Sequence, residues 1–88
     1  MKKGIVIDAA DNVGITLEPL ERGENIDLGG RSVEAREAIA PLHKLALRDI
    51  PRGGVVIKYG QTIGYATRDI SAGQWVHVHN LDAEKLMR

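Results

Sequence analysis

Arg48-Asp49-Ile50-Pro51-Arg52-Gly53-Gly54-Val55-Val56 returns twenty residues later as Arg68-Asp69-Ile70-Ser71-Ala72-Gly73-Gln74-Trp75-Val76. The shared frame is Arg-Asp-Ile, then a glycine three residues after the isoleucine, then a valine three residues after the glycine. Gly23-Glu24-Asn25-Ile26 is a fainter third copy. One physical reading covers all three. The chain turns after the isoleucine, glycine supplies a position with φ > 0, and the valine or isoleucine restarts a buried strand. Asp49 and Asp69 suit such turns as acceptors of backbone N–H bonds, which makes them structural rather than catalytic.

The flanking sequence has the same texture. Val13 to Leu17 is apolar at 13, 15 and 17, the alternation of a half-buried strand. The β-branched run Ile5-Val6-Ile7 reads as another strand, closed by Asp8 to Asn12. Asn25 to Val33 reads as a hairpin around Gly29-Gly30. Glu34 to Ile39 tolerates a short helix, which Pro41 ends. Lys44 to Arg48, Val55 to Tyr59 and Thr62 to Thr67 are further strands. Trp75 to Leu81 alternates, with Trp75, His77 and His79 on one predicted face and Val76, Val78 and Asn80 on the other. Ten glycines among short β-branched runs argue for many turns and against a helical bundle. The expected fold class is mostly β, with at most one or two short helices.

Size and composition bound the function. A chain of 88 residues makes one domain at most, here residues 1–88, and buries roughly 60% of its unfolded surface. That leaves little room for a complete enzyme. The absence of Cys excludes disulfides and thiolate metal sites. Twelve basic and twelve acidic residues cancel, which argues against a nucleic-acid or membrane-surface partner. No apolar run approaches the ~18 residues of a membrane span, and the N-terminal apolar stretch is too short for a signal peptide, so the expected compartment is the cytoplasm. Charge is uneven, however. Residues 4–41 carry three arginines against eight acids, whereas residues 42–81 carry five cations against two acids and hold all three histidines. A basic, histidine-bearing half suits an anionic ligand; scattered solvated charge is the alternative.

His77-Val78-His79 is the sharpest chemical feature. On a strand these histidines share a face about 7 Å apart, and two imidazoles can converge on one divalent ion. Two ligands are too few for a closed site, so other groups must complete it. The alternative is a structural or surface pair. His43 reads as a ligand, an acid–base group, an anion contact or a loop-closing hydrogen-bonding group. Lys58 reads as a point charge for a carboxylate or as a snorkelling surface residue. Tyr59 and Tyr65 read as packing residues with a wet hydroxyl, and Trp75 as a core or interface residue. Asn80 either orients a histidine or ends its strand. The phosphate-cradling glycine loop and the nucleophile elbow are both missing.

The second half also carries a resemblance. His43-Lys44-Leu45-Ala46-Leu47-Arg48-Asp49-Ile50, Val56-Ile57-Lys58-Tyr59-Gly60, Ile63-Gly64-Tyr65-Ala66-Thr67, Asp69-Ile70-Ser71-Ala72-Gly73 and Val76-His77-Val78-His79-Asn80-Leu81 agree in order with the SAF domain of altronate and galactarate dehydratases, which this stretch resembles. The same module forms the small subunit of related sugar-acid and sulfolactate lyases. The match is dense over residues 42–81 and loose over 4–41; Ile26 to Pro41 follows no family pattern.

The resemblance implies a β-clip fold of short bent hairpins and a role in dehydrating a polyhydroxy acid. In such lyases a proton beside the carboxylate is removed and a β-hydroxyl leaves, usually with a divalent metal as Lewis acid. It implies that His77 and His79 are candidate metal ligands and that His43, Lys44, Lys58 and Asn80 are candidate contacts to an anionic sugar acid or hydroxy acid. It further implies an iron or manganese ion shared with a larger dehydratase subunit. The expected function is therefore the non-autonomous small subunit or N-terminal-type domain of a hydro-lyase. The rival readings are a non-catalytic ligand-binding or protein-interaction module, and a metal-dependent homo-oligomer.

Overall fold

The structure, a computed structural model, describes residues 1–83. Nine strands and no helix are found among them: β1 (Lys2–Ile5), β2 (Val13–Thr16), β3 (Asn25–Leu28), β4 (Arg31–Glu34), β5 (Lys44–Ala46), β6 (Val55–Lys58), β7 (Gln61–Ala66), β8 (Trp75–Val76) and β9 (Leu81–Asp82). Six form one sheet in the order β4-β3-β1-β2-β5-β8, and three form a second in the order β6-β7-β9. The mostly β expectation therefore holds.

Three local expectations change. The first strand is Lys2–Ile5 rather than Ile5 to Ile7, because β1 pairs in parallel with β3 through Lys2, Lys3 and Gly4, and the Lys3 ammonium meets Asp27 at 3.4 Å. Glu34 to Ile39 forms no helix. Its apolar end is claimed by a bridge between Ile39 and Leu20, which exchange backbone bonds of 2.8 and 2.9 Å. Trp75 to Leu81 is not one strand: pairing stops after Val76, and His77 to Asn80 is a turn closed by the Asn80 N–H on the His77 carbonyl at 3.0 Å.

The repeated frame takes physical form at two bridges, Leu20 with Ile39 and Ile50 with Ile70. Each bridging residue is followed by a turn and a new strand. The turn residue three positions on has positive φ in all four cases: Gly23 at 89°, Leu42 at 65°, Gly53 at 83° and Gly73 at 89°. The fourth copy escapes sequence reading because leucine occupies the glycine position. The aspartates do accept turn N–H bonds, but across the bridge. Asp69 accepts the Arg52 N–H and Asp49 accepts the Ala72 N–H, both at 2.9 Å, so each aspartate caps the other copy's turn.

The six-stranded sheet separates two cores. Leu45 and Leu28 belong to the first, and Ala46, Val13 and Val76 to the second. Gly4 and Gly14 face the first core, where an added Cβ would lie 2.5 and 2.8 Å from a Leu28 methyl. Side chains alternate along a strand and directly opposed partners share a face. The other face is therefore defined by the row Ile5–Ile15–Lys44–Val76 across β1, β2, β5 and β8. The β6-β7-β9 sheet covers only the Val13–Ala46–Val76 end of this face. Its other end stays open, with Ile5 39% and Leu17 45% exposed.

Candidate functional site

Trp75 is the hub of the histidines. Its register opposite Leu45 turns the indole toward the first core, where it is half-buried. Its backbone N–H is held by the Glu37 carboxylate at 3.1 Å. The indole N–H donates to His43 Nδ1 at 3.2 Å. That bond requires a lone pair on Nδ1, so neutral His43 carries its proton on Nε2 and offers it as a donor.

The other two histidines reach the same indole from the turn. The His77 ring stacks on Trp75 at 5.1 Å and 11°, and the His79 ring lies at 4.9 Å and 40°. His43 and His77 meet edge-on at 5.8 Å. All three histidines of the chain thus surround one tryptophan. The grouping expected on one face exists, although a turn and not strand alternation produces it.

Asn80 makes that turn. It is buried, its Oδ1 accepts the His77 N–H and its Nδ2 donates to the Trp75 carbonyl, both at 2.9 Å. Its side chain is committed to the backbone beneath the imidazoles and orients them. His43 is set by Thr16, whose buried hydroxyl donates to the Ala40 carbonyl at 2.8 Å and accepts the His43 N–H at 3.2 Å. Thr16, Glu37 and Leu42 escape sequence reading. Nothing local in those residues signals a role, because the partner in each case lies on a distant strand or turn.

Lys44 and Lys58 form a second group on the opposite face of β5. Lys44 is half-buried, and desolvation, followed by the nearby Lys58 charge, lowers its pKa from the usual lysine value. Lys58 sits over the Tyr59 ring at 4.6 Å. Tyr59 is not a packing residue. It is 54% exposed at φ 57° in the β6–β7 turn and serves as a shelf for that ammonium. The turn is fixed from below by Asp11 and Asn12. Asn12 clamps β6 by bonding the Val55 carbonyl at 2.8 Å and the Ile57 N–H at 2.7 Å. The Asp11 carboxylate accepts the N–H groups of Gly60 and Asp8 at 2.8 and 3.1 Å. Burial pushes the Asp11 carboxyl up, but these backbone donors outweigh it and hold the group below its usual value.

The same geometry bears on metal binding. Among the described residues no group of three or more His, Asp or Glu is arranged to hold an ion. His43 has Nδ1 engaged and Nε2 protonated, which leaves His77 and His79. Two imidazoles do not make a complete site, so an ion held by His77 and His79 would need further ligands from outside the described residues.

The family model of the altronate/galactarate dehydratase SAF domain matches residues 2–84, nearly the whole chain. This chain belongs to that family. The SAF domain is 47% identical to an altronate dehydratase of Escherichia coli over 76 residues, covering 86% of this chain and 15% of the relative. It is 41% identical to an altronate dehydratase of Bacillus subtilis over 80 residues, covering 91% and 16%. It is 35% identical to the (2R)-sulfolactate sulfo-lyase subunit alpha of Chromohalobacter salexigens over 88 residues, covering 92% and 94%. The SAF domain thus spans about a sixth of the dehydratases it matches and nearly all of the sulfo-lyase subunit. No helix among the described residues is long and apolar enough to cross a membrane.

Proposed function

We propose that this chain is a non-autonomous SAF subunit or domain of a lyase acting on an anionic hydroxy acid, in the manner of altronate and galactarate dehydratases. The observation that carries the reading is the gathering of His43, His77 and His79 around Trp75, on a turn locked by Asn80. The rings pack on the indole, and they also bring three imidazoles, with their capacity for proton and hydrogen-bond chemistry, to one place. The relatives' names describe loss of a leaving group, water from a dehydratase and a sulfo group from a sulfo-lyase.

In this reading the larger catalytic portion holds the substrate. The SAF domain supplies the His43 Nε2–H as a donor and the rings of His77 and His79 as neighbours of the reacting end. Lys44 and Lys58, on the opposite face of β5 from Trp75, are placed for an anionic group other than the one that meets the histidines. A divalent ion, iron or manganese, belongs to the proposal only as a shared one, with two imidazoles from His77 and His79 and the remaining ligands from the partner. Such an ion would supply Lewis-acid polarisation of the substrate.

The test is affinity purification of the chain from its own cells with mass analysis. Stoichiometric capture of a larger chain of the dehydratase family is expected. The reconstituted pair is expected to turn over a hydroxy acid, and His77→Ala and His79→Ala to lose that turnover while still assembling. Isolated chain that dehydrates altronate unaided would overturn the non-autonomous reading. A lone 9.6 kDa species in every fraction would overturn the subunit itself.

A further inference from the structure

One sheet face is half-covered. The row Ile5–Ile15–Lys44 and the neighbouring Leu17 lie on the side of the six-stranded sheet that the β6-β7-β9 sheet leaves open. Leu42 borders it, since its N–H bonds the Thr16 carbonyl at 2.7 Å, one residue before Leu17. Leu42 is 74% exposed. It also holds, at φ 65°, the left-handed turn position that glycine takes in the three sister turns, a conformation that L side chains rarely adopt. An apolar side chain that is strained and solvated gives the isolated domain no return. Lys44, opposite Ile15 in the sheet, borders this apolar strip with Lys58 near it, and neither forms an ion pair among the described residues.

We infer that the open sheet face Ile5–Ile15–Leu17, rimmed by Leu42, is the surface on which the larger lyase portion docks, and that a carboxylate of that partner meets Lys44 and Lys58. The inference rests on the subunit reading above. Two observations name the occupant. The dehydratase relatives carry more than four-fifths of their length outside the matched region, so a large partner surface accompanies this domain in them. The two cations, without an ion-pair partner among the described residues, ask for an acidic one. Apolar burial at the centre with charge at the rim is the usual anatomy of a stable interface. The arrangement also places the partner at the same end of β5 as His43, so docking and the histidine cluster are adjoining.

The experiment compares tagged wild-type chain with Ile5→Asp, Leu17→Asp, Lys44→Glu and Val55→Asp, each used to capture the family's large chain from the source cells. Val55 is 40% exposed on the other sheet, so it controls for an added surface charge of equal exposure. Val55→Asp is expected to capture as wild type does. Ile5→Asp and Leu17→Asp are expected to capture at least tenfold less, with melting temperatures near that of Val55→Asp. Lys44→Glu relieves the repulsion with Lys58 and so guards against simple unfolding; it too is expected to lose capture tenfold. Capture retained by Leu17→Asp and Lys44→Glu would overturn the assigned face while leaving the subunit reading intact. Wild-type chain that brings down no dehydratase-family partner would overturn both. A purified chain that dimerises through this face, and is made monomeric by Ile5→Asp, would give the face to a second copy and overturn the inference.

Discussion

Gly53 and Gly73 occupy the same place in sister turns, at φ 83° and 89°, yet alanine at the two should behave very differently. At Gly53 an added Cβ meets nothing within 4 Å. Only the backbone conformation resists, at roughly 1–2 kcal/mol, offset by about 0.4–1 kcal/mol from the stiffer unfolded chain. The expected net loss is about 1 kcal/mol. At Gly73 the Cβ lands on the Glu34 carbonyl oxygen, with the Arg36 side chain 3.2 Å away. The neighbour is backbone and cannot rotate aside, which adds roughly 1–3 kcal/mol of overpacking. A change of about 1 kcal/mol moves the melting temperature of a domain this size by about 4–8 °C. Gly53→Ala should therefore melt about 4–8 °C below wild type, and Gly73→Ala at least about twice as far below. The turn also carries Arg36 N–H on the Gly73 carbonyl at 2.9 Å, two residues from Trp75, the single tryptophan. Thermal melts followed by tryptophan emission read both effects at once. Gly73→Ala should shift the native emission as well as the midpoint, and Gly53→Ala the midpoint alone. Equal midpoints for the two variants would refute the claim that the 71–74 turn is seated against β4.

Asn80→Ala removes two bonds and leaves the part-buried His77 N–H and Trp75 carbonyl without that partner, so urea unfolding should show a loss of about 1–3 kcal/mol together with changed tryptophan emission. Lys44→Met should raise the isolated domain's melting temperature, because it removes a half-buried cation beside another cation; the sign reverses if that ammonium is stabilised within the chain. The Asp11 pKa lies below its unfolded value of 3.8, so its contribution is present above that value and is lost as pH falls through the folded one. Stability measured from about pH 6 to about pH 2.5 should therefore decline on an acid limb that Asp11→Asn makes shallower.

The turns were the most legible part of the fold. Gly23, Gly53 and Gly73 announce themselves because glycine is the natural residue at positive φ, and the Arg-Asp-Ile frame marks where two of those turns begin. The hairpin at Gly29-Gly30 is legible for the same reason. The fourth turn is not, because Leu42 stands where its sisters have glycine. The strand misreading at His77 to Asn80 has a different origin. Alternation there is genuine in the sequence, but one buried asparagine side chain outcompetes the ladder for the Trp75 and His77 backbone groups. Ile39 likewise shows no sign of its bridge, since its partner Leu20 lies in another turn. Of the site, the histidine cluster was visible as residue types, and its hub as an indole of undecided role. The split of His43 from Lys44 onto opposite faces follows from strand alternation alone; what was hidden is which face receives the indole, because that depends on β8 pairing with β5.

The indole and the His43 ring it bonds stand thirty-two residues apart in the chain, and β8, the edge strand that brings them together, is laid against β5 near the end of the described residues. During synthesis the N-terminal strands are available first, and His43 waits exposed until Trp75 and the following turn have emerged. The ring cluster therefore requires β8 to be paired with β5. His43 and His77 meet only in a finished domain, so their contact at 5.8 Å is a marker of sheet closure that an unpaired β8 cannot produce.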